Sequence, residues 1–84
     1  MQQLLIDLAS IREILAQHGR LSLDVRLLDP EANLHNAGLT SLATVSVMLA
    51  LEDHFKIEFP QSMMSRKTFA SLESIAEAVA KLVG

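Results

Sequence analysis

Apolar residues recur at three- and four-residue steps through most of this chain, and one stretch breaks the rhythm. Leu4, Leu8, Ile11, Leu15 and His18 share a stripe, while Asp7, Arg12, Glu13 and Gln17 lie largely on other faces. That spacing is the pattern of an amphipathic helix, so residues 2–18 are expected to form helix I, with Gly19 ending it. From Gly19 to Thr40 the step disappears and turn formers collect: Gly19, Asp29-Pro30, Asn33, Asn36 and Gly38. A connection of roughly twenty residues is long for a compact domain. Its apolar residues Leu21, Leu23, Val25, Leu27, Leu28 and Leu34 imply that it packs across the helices, with one short helical turn expected near Pro30.

The helical step resumes at Ser41. The run SLATVSVMLALEDHF predicts helix II from Ser41 to about Phe55, and it is more apolar than one buried stripe requires. Thr44, Val47, Met48, Leu51 and Phe55 make the expected core face, while Leu42, Val45, Ser46, Leu49 and Ala50 make another. Either helix I or the long loop covers this second face, or it is offered to a partner. Ile57-Glu58-Phe59 then alternates apolar and polar residues before Pro60 ends the unit. Residues 61–67 are the place for a short helix III. Ser71 suits the N-cap of helix IV, in which Leu72, Ile75, Ala76, Val79 and Leu82 keep the helical step. The expected fold is all-α: a four-helix bundle, its third helix short and its first connection long, in a single domain spanning residues 1–84.

Composition narrows what such a domain does. Half of its residues are apolar, enough to fold, but a core this small supplies only about 3–5 kcal/mol of net stability and argues against a large buried pocket. Ten acids against seven bases leave a net charge of -3, and Arg66-Lys67 is the sole adjacent basic pair. No helix face carries a basic stripe for nucleic acid. There are no cysteines, which excludes disulfides and thiolate zinc sites and suits a reducing cytoplasmic location. The N-terminal segment lacks a basic start, and no apolar run approaches membrane-spanning length, so neither a signal peptide nor a membrane span is expected. His18, His35 and His54 show no metal-ligand spacing and read as surface or helix-end residues. A Ser-His-Asp hydrolase lacks its nucleophile elbow here, and no pattern points to oligomers. A monomer, and not an enzyme, is the expectation.

The chemistry concentrates in Asn36-Ala37-Gly38-Leu39-Thr40-Ser41-Leu42-Ala43-Thr44. Gly38 can take the backbone angles of a tight bend and Thr40 is an acceptable N-cap, which puts Ser41 in the first turn of helix II. Its hydroxyl then sits at the positive end of the helix dipole, where an attached anion is stabilised. A serine so placed can bear a phosphate-linked group.

Ala37-Gly38-Leu39-Thr40-Ser41-Leu42, joined at fixed distance to Leu51-Glu52-Asp53-His54-Phe55-Lys56-Ile57-Glu58-Phe59-Pro60, resembles the paired motifs of acyl carrier proteins. The resemblance spans residues 4–83. It implies that Ser41 bears 4'-phosphopantetheine, donated from coenzyme A by a magnesium-using phosphopantetheinyl transferase, with cargo held as a thioester on the arm's thiol. Two departures stand out. Thr40 precedes the serine where aspartate is usual, and Ala43 and Ser46 replace acids that basic enzymes recognise, so steering by charge should be weak. Together with Arg66-Lys67-Thr68-Phe69-Ala70-Ser71, the pattern is most similar to small stand-alone bacterial aminoacyl carrier proteins. That subtype implies loading with an amino acid by an ATP-dependent ligase resembling a seryl-tRNA synthetase, docking on Leu42, Val45, Ser46 and Leu49 with Arg66 and Lys67 nearby. A conventional carrier of fatty acid or polyketide metabolism and an unmodified helical interaction module are the alternatives. Arg66-Lys67 also reads as a solvated pair.

Overall fold

The computed structural model describes residues 8–22 and 24–83, and three α-helices account for most of them: α1 (Leu8–His18), α2 (Ser41–Phe55) and α3 (Leu72–Val83). The expected start of helix I at residues 2–7, and Leu23 of the loop, lie outside that range. α1 is the central beam, packing against both α2 and α3. Ile11, Ile14 and Leu15 are its buried face, as the three- and four-residue step predicts. It ends at His18, with the Gly19 N–H donating to the Leu15 carbonyl at 2.8 Å. The left-handed residue there is Arg20, at φ 53°, so Gly19 acts by its small size. A Cβ on it would come within 2.7 Å of the Leu15 carbonyl oxygen.

The first connection packs inward. Leu34 is fully buried, with Val25, Ala37 and Leu39 nearly so. Three polar devices tie it down. Arg12 of α1 donates through Nη1 to the carbonyls of Val25 and Leu28, at 2.8 Å each. The Leu34 N–H donates to the Ala70 carbonyl at 2.7 Å, and the Glu73 N–H to the Pro30 carbonyl at 3.0 Å, which supplies a partner for one of the amides that the start of α3 leaves open. The expected helical turn lies at Val25–Leu27 as a 3-10 turn, not at Pro30. Asp24 sets it there by accepting from the Arg26 N–H at 3.0 Å. The Arg26 guanidinium and N–H together hold the Asp24 carboxyl below its ordinary value. Near Pro30 the chain instead makes an Asx turn, Asp29 accepting from the Glu31 N–H at 2.8 Å.

α2 buries Ala43, Val47 and Leu51. Thr44, expected in the core, is only half-buried because its hydroxyl turns back to donate to the Thr40 carbonyl at 2.7 Å. Ala50, expected on the opposite face, packs against the core instead. The helix stops where Lys56 turns left-handed, at φ 57° and ψ 49°. Glu52 organises that stop. Its carbonyl accepts from the N–H groups of Lys56 and Ile57, and its carboxylate accepts from the Phe59 N–H at 2.8 Å. Phe59 is thereby turned into the core against Phe69, with ring centroids 5.4 Å apart.

The expected helix III over 61–67 shortens to a 3-10 turn at Gln61–Met63. Ser65 ends it by accepting from the Thr68 N–H at 3.4 Å and pairing with the Thr68 hydroxyl at 3.2 Å, a local bond that competes with helix. Ser71 caps α3 as expected, accepting from the Ser74 N–H at 3.0 Å. No helix among the described residues is long and apolar enough to cross a membrane.

Replacing Glu52 by Ala strands the partly buried Phe59 N–H, and should lower the unfolding free energy by about 1–3 kcal/mol. Glu52→Gln keeps an acceptor oxygen and should lose less. Urea unfolding midpoints at matched slopes measure both.

Candidate functional site

Two braces hold the bend before α2. The Ala37 carbonyl accepts from both the N–H and the hydroxyl of Ser22, at 3.1 and 2.9 Å, which locks the bend to the loop after α1. On the other side the ring of His35 brings Nε2 to 3.0 Å from the Arg66 carbonyl. A carbonyl only accepts, so that nitrogen carries the proton. His35 is therefore a half-buried latch between the bend and the 64–70 segment, a role its sequence position did not signal. His54 is exposed, edge-on to the Phe55 ring. His18 ends α1, with Nδ1 3.4 Å from the Ser46 hydroxyl.

Between the braces Gly38 takes φ 111°. A Cβ there would sit 3.2 Å from the Ser22 nitrogen and 3.3 Å from its hydroxyl oxygen, so both conformation and space call for glycine. Leu39 then plugs into the core. Thr40, with extended angles, caps the helix by accepting from the Ala43 N–H at 3.1 Å.

Ser41 follows as the first helical residue. It is exposed, and its hydroxyl bonds to no other described residue. No acid stands in the first turn of α2, so nothing offsets the partial positive charge of the helix start. A phosphodiester on Ser41 Oγ meets favourable charge and open solvent. The described residues fit a phosphate-linked arm at this position. They offer no group of three or more His, Asp or Glu able to hold a metal.

The apolar flank lies open beside the serine. Leu42 is 83%, Leu49 56% and Val45 50% exposed, so neither α1 nor the loop covers them. Ser46 is exposed on the α1 side, where it lines a groove with Leu49, His18 and Asp53. Arg66 and Lys67 part company. Arg66 joins Ser41 and Val45 in lining a second groove, while Lys67 faces α3, beside Glu77 and Lys81. Ala43 is buried. Its lack of charge therefore says nothing about recognition, and of the two replaced acids only Ser46 lies on an accessible surface.

An exposed serine on a braced bend opens α2, and the geometry leaves room there for a phosphate-linked group. The family model for the phosphopantetheine attachment site matches residues 9–79, and the chain belongs to that family; its cofactor is 4'-phosphopantetheine. It is 48% identical to the aminoacyl carrier protein of Agrobacterium fabrum over 71 residues, covering 84% of this chain and 86% of the relative. Against aminoacyl carrier protein 1 of Bradyrhizobium diazoefficiens the identity is 36% over 69 residues, covering 82% and 72%. The fold matches a crystal structure in which an engineered Bradyrhizobium japonicum glycine:[carrier protein] ligase is complexed with a carrier protein from Agrobacterium tumefaciens and AMP. The TM-score is 0.85 at 46% identity, over 87% of this chain and 97% of that one.

Gly38→Ala forces a side chain into a left-handed, crowded position, and should destabilise the fold by about 1–3 kcal/mol. Amide exchange should rise first at Ser22 and Leu39, ahead of the α1 core, as hydrogen-exchange NMR would show.

Proposed function

We propose that Ser41 is the attachment point of 4'-phosphopantetheine, and that the chain carries an activated amino acid as a thioester on that arm. The observation that carries this reading is the free, exposed Ser41 hydroxyl at the capped start of α2. When bound, the arm supplies a thiol, a group this cysteine-free chain lacks. The chain's own residues position it: Gly38 and Thr40 fix the bend and cap, and the helix start stabilises the phosphodiester. The protein itself is read as no enzyme, acting in the cytoplasm as one carrier domain and a monomer.

Loading is assigned to an ATP-dependent amino acid:[carrier protein] ligase of the kind bound to the structural neighbour, after a phosphopantetheinyl transferase has installed the arm. Leu42, Val45, Ser46 and Leu49 form the docking flank, with Arg66 beside Ser41; Lys67, which faces α3, drops out of it. Only Glu52, Asp53 and Glu58 supply acidity near the far end of α2, and Glu52 is already engaged with Phe59. Apolar contact should therefore dominate over charge steering.

Coexpression with a broad-specificity phosphopantetheinyl transferase should add about 340 Da, a figure set by the arm's chemistry, and Ser41→Ala should abolish the gain. The holo protein should then accept glycine or alanine in an ATP-dependent reaction with such a ligase. Val45→Asp should cut kcat/KM for loading by about tenfold or more while leaving the circular dichroism unchanged, a loss of about 1.4 kcal/mol in transition-state binding. An unmodified mass under conditions that fully convert a known carrier would support the interaction-module alternative. Loading by fatty acyl groups in place of amino acids would support the conventional one.

A further inference from the structure

A groove of about 530 Å³ lies between α1 and the start of the first connection, with no residue of α2 or of the Ser41 bend in its lining. Arg12, Glu13 and Ala16 follow one helical stripe along it, whereas Ile14, Gln17 and His18 lie on another stripe that lines the groove against α2. Ala16, Leu21 and Val25 give it apolar walls, and Arg12 and Arg20 stand among them.

The charge in this groove is unbalanced. Asp24 is already paired with Arg26, which leaves Arg12 and Arg20 against Glu13. Arg12 is half-buried. The carbonyls of Val25 and Leu28 accept from its Nη1 and hold the guanidinium in place. Its Nε and Nη2 form the side-on fork that matches a carboxylate, and they meet no acceptor among the described residues. Arg20, exposed, has no partner among those residues either. From Ala9 to Ala16 the helix rises by about 10 Å, the span of an extended segment of about three residues. A lone ion fills little of that length.

We propose that this groove docks a partner protein through an extended segment in which one acidic residue stands between apolar ones. The carboxylate takes the fork of Arg12, with Arg20 at the rim, and the flanking apolar side chains pack on Ala16, Leu21 and Val25. The fork is held before the segment arrives, so little ordering is lost on binding. Glu13 opposes a second acid and limits the segment to one. Ser41 and the flank Leu42, Val45 and Leu49 take no part in this groove. A partner gripping α1 therefore leaves them free, and the carrier is held from one side while it is served on the other.

The test uses the full, isotope-labelled chain titrated with the peptide acetyl-Leu-Glu-Leu-amide, read by backbone amide shifts. Saturable shifts should appear at Ala16, Leu21 and Arg26, with the amides of Leu42, Val45 and Leu49 unmoved. The peptide with Gln in place of Glu should bind about tenfold more weakly, as loss of a hydrogen bond between charged groups implies. Arg20→Asn accepts the left-handed backbone of that position and should weaken the Glu peptide by about threefold. Arg12→Lys keeps the charge and loses the fork, and should weaken it by about tenfold. Leu51 and Ile75 methyl shifts record an intact core; if Arg12→Lys disturbs them, Arg20→Asn decides. Equal binding of the Glu and Gln peptides overturns the proposal, because the guanidinium is then idle. Shifts centred on the α2 flank, or no saturable shift at millimolar peptide, overturn it as well. The same shifts from sodium acetate at equal concentration overturn the docking of a segment and leave a site for a lone anion. None of these outcomes bears on attachment at Ser41.

Discussion

The burial of Leu34 is the constraint on which the rest of the structure leans. α2 and α3 each pack on α1 far more than on one another, and Leu34, fully buried, belongs to the core they share. Its backbone works as hard as its side chain. The amide reaches across to the Ala70 carbonyl, and the Leu34 carbonyl accepts from Ala37 and from Leu39 at 3.0 Å each. One residue thus joins the long connection to the entrance of α3 and curls the chain toward Gly38. A domain this small cannot spare about a quarter of its length as an idle loop, and the connection accordingly contributes core residues.

The serine inherits its placement from that arrangement. Nothing at Ser41 is unusual as chemistry; the hydroxyl is an ordinary exposed alcohol. What distinguishes it is the rigid approach: a glycine bend clasped by Ser22 on one side and reached through His35 on the other, then a threonine cap. An arm attached there would start from a fixed point and direction. The exposed flank Leu42, Val45 and Leu49 lies on the same helix, so the proposed docking surface and the serine form one rigid body.

Legibility in the sequence followed locality. α2 was readable at both ends because its start and stop are written in adjacent residues: Gly38, Thr40 and Ser41 at one end, Glu52 to Pro60 at the other. The stripe of α1 and the Ser71 cap were readable for the same reason. The position of the first 3-10 turn depends on Asp24 and on Arg12 reaching from α1, and the shortening of the expected third helix depends on the Ser65–Thr68 pair; periodicity registers neither. Ala50 was assigned to the wrong side of α2 because a small apolar residue blurs the boundary between two apolar faces, and Ala43, read through the resemblance as a recognition position, is buried. At the site, the serine was visible through its motif, whereas the groove beside it was not. Met64, Phe69 and His35 come from aperiodic segments, and their meeting is a product of the tertiary fold.

The Glu52-centred stop also makes α2 a keyed shaft. Its 15 residues are clamped at one end by the Thr40 cap and at the other by the carboxylate that turns Phe59 into the core. Each residue of a helix advances the face by about 100°. Deleting or inserting one residue within α2 would therefore rotate the serine and its flank relative to Phe59 by that angle, and no slack at either clamp absorbs the error. Substitution can retune this surface freely, while length cannot drift. The spacing between the serine and Pro60 is thus a mechanical dimension of the molecule, held by the same contacts that hold the fold.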